Sequence, residues 1–193
     1  MSLQFDFFEG SGKRKHPVLE GFHYRPELID PSQENALLDR VRELPFREFE
    51  FHGYLGKRRV VSFGWHYDFS GQGLRKAADI PEFLLPLRAR SAQFAGLEPA
   101  AFEHVLVIEY GPGAGIGWHR DKAVFGEVVG VSLLAPCVLR FRRKLYGKWE
   151  RANVEVEPRS AYLLIGPARY EWQHSILRLD SLRYSITFRK VIE

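Results

Sequence analysis

Cysteine and long apolar runs are almost absent from this chain. Its 193 residues include one cysteine, Cys137, which excludes an internal disulfide and argues against a disulfide-stapled secreted fold. No stretch is apolar over the roughly 20 residues that a membrane span needs, and the amino terminus lacks the apolar segment of a signal peptide. We therefore expect a cytoplasmic protein in a reducing compartment, with no membrane partner.

A strong excess of charge of one sign is also missing. The chain carries 28 Lys and Arg against 24 Asp and Glu, which gives a net charge of +4 and a pI of about 9.2. An excess this small is compatible with phosphate-bearing partners but does not identify one. Hydrophobic residues make up 45% of the chain, enough to bury a sizeable core at this length, so we predict one domain over residues 1–193.

Two helices are predicted in the first half. Asp30-Pro31-Ser32-Gln33 combines an N-cap aspartate, a proline at the first helical position and a glutamine that can reach back, and predicts a helix from Pro31 to Leu44. A second helix is expected from about Ile80-Pro81 to Phe94, with Gly96 as its stop. Pro86 leaves open a kink in this helix or a later start.

Short strand-like runs separated by turn residues dominate the second half, which favours a double-sheet β structure of the jelly-roll type. We predict an α+β fold that is mainly β, with a jelly-roll core over 104–193. Residues 1–103 are expected to form an extension of helices and strands that covers the substrate. The strands are predicted near 104–110, 128–134, 138–143, 153–157, 160–165, 171–176 and 183–189.

His119, Asp121 and His174 are the candidate metal ligands. Residues two apart on an extended chain point to the same side, so His119 and Asp121 can serve one ion, with His174 supplied by another strand. Two imidazoles and one carboxylate cover one face of a six-coordinate metal and leave the other positions open, the ligand set of non-haem Fe(II) oxygenases. Zinc and copper stay open, and the arginines that follow favour iron.

The segment Arg183–Arg189 alternates between polar and apolar residues. Arg183, Ser185, Thr187 and Arg189 form the polar set, which predicts a strand with two chemically distinct faces. A solvated polar face is the ordinary explanation for a single strand of this kind. The alternative is a ligand-lined interior, where two arginine forks hold the carboxylates of a dicarboxylic cosubstrate.

Taken together, these features resemble the AlkB-like family of Fe(II)/2-oxoglutarate-dependent dioxygenases, over His104 to Arg189. The resemblance implies a double-stranded β-helix, with Fe(II), 2-oxoglutarate and O₂ as cofactor and cosubstrates. It is carried, in the family's order, by Val107–Gly113, Ile116, His119-Arg120-Asp121, Val129–Leu133, Gly166–His174 and Arg183–Arg189.

The same resemblance implies a role for each matching residue. His119, Asp121 and His174 are implied as the catalytic iron ligands, and Arg183 as the partner of the distal carboxylate of 2-oxoglutarate. Cosubstrate contacts are also implied for Tyr110, for Ser185 and, near the metal-bound end, for Arg189. The chain departs from the family pattern at two positions: Ile108 stands where asparagine is frequent, and Ser175 where glycine is common.

Candidate substrate residues lie in the first half. Cations at Arg58 and Arg59 precede an aromatic stretch that contains Trp65 and Tyr67, a combination that can contact a phosphate backbone and stack a base. A surface turn followed by a core strand explains the same pattern. A nucleobase target would have to be flipped out of a duplex or presented single-stranded.

Three functions are open at this point. The first is oxidative dealkylation of N-alkylated bases in DNA or RNA, for repair or RNA demethylation. The second keeps the same chemistry on a protein or small-molecule substrate. The third is a binding module that keeps the fold without turnover, which the intact ligand set and both arginines disfavour.

Overall fold

The structure is a computed structural model that describes residues 19–51, 54–68 and 73–192. The helices of this part of the chain are α1 (Pro31–Val41), α2 (Leu85–Ala95) and α3 (Gly166–Tyr170). None of them is long and apolar enough to cross a membrane. The strands are β1 (Phe22–Arg25), β2 (Arg47–Phe51), β3 (Tyr54–Phe63), β4 (Trp65–Asp68), β5 (Gly73–Lys76), β6 (Phe102–Tyr110), β7 (Ile116–His119), β8 (Phe125–Leu133), β9 (Cys137–Leu145), β10 (Lys148–Val156), β11 (Ala161–Leu164), β12 (Gln173–Ile176) and β13 (Arg183–Val191).

Two antiparallel sheets and a hairpin are built from these strands. The larger sheet has the order β1-β11-β8-β13-β6-β3-β2, the smaller sheet β10-β9-β12-β7, and β4 pairs with β5. The non-sequential strand order is that of a jelly roll, so the predicted fold class is confirmed. Strands β1, β2 and β3, which precede residue 104, belong to the larger sheet, so the amino-terminal half supplies part of the sheet as well as helices.

The core consists of two apolar layers, one on each side of the larger sheet. Helices α1 and α2 bury Leu38, Val41 and Leu87 against the outer side of this sheet. The second layer includes Ile108 from the larger sheet and Phe141 from the smaller one, so it fills the space between the sheets. The candidate site lies in this second layer.

Both predicted helices form, with shifted ends. Asp30 and Gln33 make the reciprocal capping box: the backbone N–H of Gln33 donates to Asp30 Oδ1 at 2.9 Å, and that of Asp30 donates to Gln33 Oε1 at 3.1 Å. Helix α1 ends at Val41 rather than Leu44. Helix α2 begins at Leu85, which places Pro86 in the first turn, where its missing N–H costs no helical hydrogen bond. Gly96 ends this helix in the left-handed conformation, with φ of 68°.

All seven predicted strands are present, and two neighbouring elements differ from the prediction. Strand β7 was missed because it has only four residues and follows a glycine-rich turn. The strand predicted from residue 171 begins at Gln173, because the short helix α3 precedes it. Gly115 lets β7 approach β12 closely: a Cβ there would lie 2.8 Å from the Ile176 carbonyl oxygen.

Candidate active site

His119, Asp121 and His174 are brought together at one end of the space between the sheets. His174 on β12 is the pairing partner of His119 at the end of β7, and their ring centroids are 4.2 Å apart. Asp121 follows the end of β7 by two residues, and its Oδ2 lies 3.8 Å from His174 Nε2. Antiparallel pairing of two short strands therefore brings residues 55 positions apart into one cluster.

Each histidine directs a ring nitrogen toward this cluster. His119 Nδ1 lies 2.8 Å from the Gly117 carbonyl oxygen, which can only accept, so Nδ1 carries the proton and Nε2 is left as a lone-pair donor. His174 points Nε2 at Asp121, while its buried Nδ1 has no hydrogen-bond partner among the described residues. The pair thus presents two nitrogen ligands.

The protonation states suit a cation. Burial, reinforced by His119, lowers the pKa of His174 to about 3, and burial also lowers the pKa of His119. Burial would raise the pKa of Asp121, but Arg189 and the two histidines outweigh it and hold that pKa well below its usual range. At neutral pH the cluster therefore holds two neutral imidazoles and one carboxylate, the forms that ligate a metal.

The spacing of this set is slightly wider than a metal requires. Within the described ranges, no three His, Cys, Asp or Glu side chains meet the distances of a metal-binding group as they stand. Ligand bonds of about 2.1 Å at right angles place donor atoms about 3 Å apart. The His174 Nε2–Asp121 Oδ2 distance of 3.8 Å exceeds this by less than 1 Å. Two neutral imidazoles and one carboxylate are the donor types of a non-haem Fe(II) site, so the chemistry of the set fits Fe(II).

Arg183 is a buried cation with unused hydrogen-bonding capacity. Only 1% of it is exposed, which rules out the solvated-face explanation of β13. Its Nε donates to Ser132 Oγ at 3.1 Å and its guanidinium carbon lies 5.3 Å from the centre of the Tyr110 ring. The buried Nη1 has no hydrogen-bond partner within the described ranges. A buried N–H without an acceptor is costly, so this position favours an anionic ligand such as a carboxylate.

Arg189 occupies the opposite end of the same face and binds Asp121. Its Nε and Nη2 lie 2.8 and 2.7 Å from Asp121 Oδ1, and its Nη1 is 3.4 Å from His104 Nδ1. Ser185, 3% exposed, lies between the two arginines along the strand. The polar face of β13 is thus turned into the interior, with Arg183 and Arg189 at its two ends.

The structure places the two candidate substrate arginines on opposite faces of β3. Arg58 pairs in register with Tyr110, so both side chains lie on the interior face, and Arg58 contributes to the lowered pKa of His119. Arg59 faces the opposite side, where it forms a bidentate pair with Glu109 at 2.7 and 2.9 Å. Arg58 is therefore near the candidate site and Arg59 is not.

Strand β4 likewise places its two aromatic residues in different surroundings. Tyr67 lies beside the loop that carries Asp121, with Lys122 Nζ 5.0 Å from the centre of its ring. Trp65 donates from Nε1 to Glu103 Oε2 at 3.4 Å and is covered by Lys76, whose Nζ is 4.4 Å from its ring centre. Tyr67 is thus at the rim of the site, and Trp65 packs against β6.

Arg169 is a buried residue to which the sequence analysis gave no role. It is 3% exposed, lies on α3 five residues before His174, and reaches the loop that carries Asp121. Its guanidinium donates to the carbonyl oxygens of Gly126 at 2.8 Å, Lys122 at 2.7 Å and Asp121 at 3.3 Å, and also to that of Phe125. The signal in the sequence was a single cation directly after the apolar run 161–168.

Tyr162 is a second residue that the sequence analysis missed. It lies on β11 opposite Gly130 of β8, and a Cβ at Gly130 would lie 2.3 Å from the Tyr162 ring. Glycine at this position therefore lets the ring cross the sheet surface toward Arg183. Burial raises the pKa of the Tyr162 hydroxyl, so it stays protonated and can donate a hydrogen bond into the site.

Comparison with known proteins is consistent with this geometry. Residues 21–189 match the model of the 2OG-Fe(II) oxygenase superfamily. An Arabidopsis thaliana protein named as an alkylated DNA repair protein, ALKBH8 homolog, is 25% identical over 90% of this chain and 59% of its own length. A Bos taurus protein, the mitochondrial alpha-ketoglutarate-dependent dioxygenase alkB homolog 7, is 29% identical over 80% of this chain and 66% of its own length.

The fold has a counterpart among solved structures. That of OsALKBH1 superimposes with a TM-score of 0.68 at 18% identity and covers 88% of this chain and 98% of its own. The chain spans less than two thirds of the length of both curated relatives. The match of residues 21–189 to the family model shows that the chain belongs to the 2OG-Fe(II) oxygenase superfamily, whose members use Fe(II), 2-oxoglutarate and O₂.

Proposed function

We propose that this dioxygenase removes alkyl groups from N-alkylated bases of DNA or RNA. The observation that carries the proposal is the rim of the site, where Arg58, Tyr67 and Lys122 lie beside the ligand cluster. Cations and an aromatic ring at the entrance suit a nucleotide, whose phosphate is anionic and whose base presents a π-face. The name of the Arabidopsis relative, which refers to alkylated DNA, supports the same substrate class.

His119, Asp121 and His174 are the proposed iron ligands, and Arg183, Tyr110, Ser185 and Arg189 the proposed cosubstrate contacts. When bound, Fe(II) with 2-oxoglutarate and O₂ supplies the oxidation of a C–H bond, and hydroxylation of an N-alkyl carbon releases that carbon as an aldehyde. The unpartnered Nη1 of Arg183 is the proposed anchor for one carboxylate of 2-oxoglutarate. Arg189 keeps Asp121 ionised and oriented.

The rim residues are proposed to position the substrate. A base that enters the site leaves its stack, and the Tyr67 ring offers a replacement surface for it. Arg58 and Lys122 are proposed to neutralise the neighbouring phosphates. None of these three residues is a proposed iron ligand, so their loss is expected to act on substrate binding more than on turnover of 2-oxoglutarate alone.

The test measures formaldehyde and succinate from 2-oxoglutarate, Fe(II) and air, with single strands that carry N-methylated bases and with matched unmethylated strands. We expect methylated strands to stimulate succinate formation and to release formaldehyde in equal amounts. Arg58→Gln should raise KM for the strand several-fold, whereas Arg59→Gln, the matched change on the opposite face of β3, should not.

Two outcomes would contradict the proposal. Slow succinate formation that no methylated strand stimulates would redirect the search to a protein or small-molecule substrate. If Arg58→Gln and Arg59→Gln changed KM for the strand equally, the rim residues would not be the ones that position the substrate. His174→Ala serves as the blank in each reaction.

A further inference from the structure

The smaller sheet has an outer face that the catalytic site does not use, and we propose that this face docks single-stranded nucleic acid. The ligand class rests on the proposed function. The face combines two indoles with four cations and is called here the basic-aromatic face. It consists of Trp118 on β7, Arg140, Arg142 and Lys144 on β9, and Trp149 and Arg151 on β10.

Strand alternation places this face directly behind the metal ligands. Trp118 is the neighbour of His119 along β7, and Phe141 stands between Arg140 and Arg142 on β9. Phe141 points inward, fully buried, with its ring centre 6.2 Å from that of His174. The residues on either side of it therefore point outward. One sheet thus carries two of the proposed iron ligands on its inner side and the basic-aromatic face on its outer side.

The cations are held flat against the indole rings. The guanidinium carbon of Arg142 lies 4.4 Å from the centre of the Trp118 ring and 4.7 Å from that of Trp149, and that of Arg140 lies 4.8 Å from Trp118. Hydrogen bonds to the neighbouring strand fix the same groups, from Arg142 Nε to Gln173 Oε1 at 2.8 Å and from Arg140 Nε to Ser175 Oγ at 3.1 Å. Guanidinium groups ordered in advance lose little side-chain entropy when they bind phosphate.

The described part of the chain leaves this face with an excess of positive charge. Arg143, which faces the other way, pairs with both Glu150 and Glu171 at 2.6 Å, whereas the described outer side of β9 and β10 carries its cations against a single carboxylate. Glu155 is also exposed on the outer side of β10, which leaves three positive charges in excess. Such a surface complements a polyanion.

The two indole rings favour single-stranded nucleic acid over other polyanions. Trp149 is 45% exposed beside Arg151, so part of its ring is open to a planar partner. Unpaired bases offer such planes, whereas the bases of a duplex are already stacked on one another and an acidic peptide has few planar groups. A strand that lies along this face also lies next to β7, the edge strand that ends in a proposed iron ligand.

The test is fluorescence anisotropy of the full chain with unmodified, labelled 16-nucleotide single strands, one of DNA and one of RNA. We expect the double variant Trp149→Ala/Arg151→Gln to bind at least about fivefold more weakly. The slope of log K against log salt should fall by about 0.7, because one cation is removed. Trp149→Phe/Arg151→Gln should recover part of the loss, because the ring is retained.

The control is Arg25→Gln, an exposed cation on β1 of the other sheet, which should leave binding unchanged. Equal affinities of the double variant and the unaltered protein, with both folded by circular dichroism, would overturn the docking proposal. So would equally tight binding of a 16-base-pair duplex or of polyglutamate.

The docking proposal and the proposed function can fail separately. If the double variant binds strands more weakly but no methylated strand stimulates succinate formation, the docking face stands and the dealkylase assignment fails. If methylated strands are dealkylated with a KM that the double variant does not change, the assignment stands and the docking face fails. A methylated nucleoside, too small to reach the face, should be processed equally by both proteins.

Discussion

Arg189 and Asp121 form a bidentate contact in which two guanidinium nitrogens approach one carboxylate oxygen, at 2.8 and 2.7 Å. The contact is buried, with only 10% and 6% of the two side chains exposed. Oδ1 is thereby occupied, and Oδ2 is left facing His174. Arg189, which lies on β13 and 68 positions from Asp121 in the sequence, thus determines which carboxylate oxygen of this proposed ligand faces the metal site.

Arg189→Met is expected to weaken metal binding by about 10- to 100-fold, the usual effect of losing a group that orients a metal ligand. Without the guanidinium, the buried Asp121 carboxylate loses its largest stabilising charge. Titration of the metal-free protein with Fe(II) under anaerobic conditions measures this. Lys190→Met, which removes the neighbouring partly exposed cation, is the control, and equal affinities in the two variants would contradict the prediction.

Arg183→Lys is expected to raise KM for 2-oxoglutarate at least about tenfold. Lysine retains the charge but not the planar fork that holds a carboxylate through two hydrogen bonds. Initial rates at varied 2-oxoglutarate concentration give the result, with Arg178→Lys at an exposed loop position as the control. An unchanged KM would show that the cosubstrate carboxylate lies elsewhere.

Arg169→Met is expected to lower the free energy of unfolding by about 3 kcal/mol or more, because several carbonyl oxygens lose a shared buried donor. Urea denaturation of the metal-free protein measures the loss. Arg120→Met is a close control, since Arg120 lies in the same loop and donates to the Tyr170 carbonyl oxygen at 3.0 Å from an exposed position. Similar losses in both variants would contradict a special role for the buried guanidinium.

The metal-free protein is expected to lose stability as pH falls below about 6.5. Burial lowers the pKa of His104 well below its usual value, followed by the effect of Arg189, and lowers that of His174 to about 3. As pH falls, these two histidines therefore bind protons in the unfolded chain before they do so in the folded protein. Each histidine destabilises the fold by about 1.4 kcal/mol per pH unit until its folded-state pKa is reached, which for His174 is near pH 3.

Urea denaturation at pH 7, 6 and 5 tests this pH dependence. His104→Gln should flatten the pH dependence, because glutamine does not titrate. His23→Gln, at an exposed position on β1, should leave the slope as it was. A His104→Gln protein with the same slope as the unaltered chain would contradict the assignment.

Features with a strict local pattern could be predicted from the sequence. The capping box at Asp30 and Gln33 identified α1, and the alternation over Arg183–Arg189 identified β13. The pattern did not decide whether the polar side of β13 faces solvent, because that depends on the second sheet. The spacing of His119 and Asp121 suggested proximity, although Asp121 lies in the loop after the strand.

Features that depend on distant partners could not be predicted. Arg58 and Arg59 are adjacent, and only the pairing of β3 with β6 decides which one faces the site. Arg169 binds carbonyl oxygens 43 to 48 positions away. Every residue has a backbone carbonyl, so the identity of these residues does not reveal the contact. The basic-aromatic face arises from pairing between strands, so its indoles and guanidiniums are scattered in the sequence. The cytoplasmic location and the domain limits stay predictions.

The most direct test of the central claim is the mass of a single-stranded oligonucleotide that carries one N-methylated base, measured before and after incubation with the protein, Fe(II), 2-oxoglutarate and air. We predict the loss of one methylene mass per lesion with the unaltered chain and no change with His174→Ala. An unchanged mass with both proteins, while the unaltered chain still converts 2-oxoglutarate to succinate, would contradict nucleic-acid dealkylation and leave an oxygenase with another substrate.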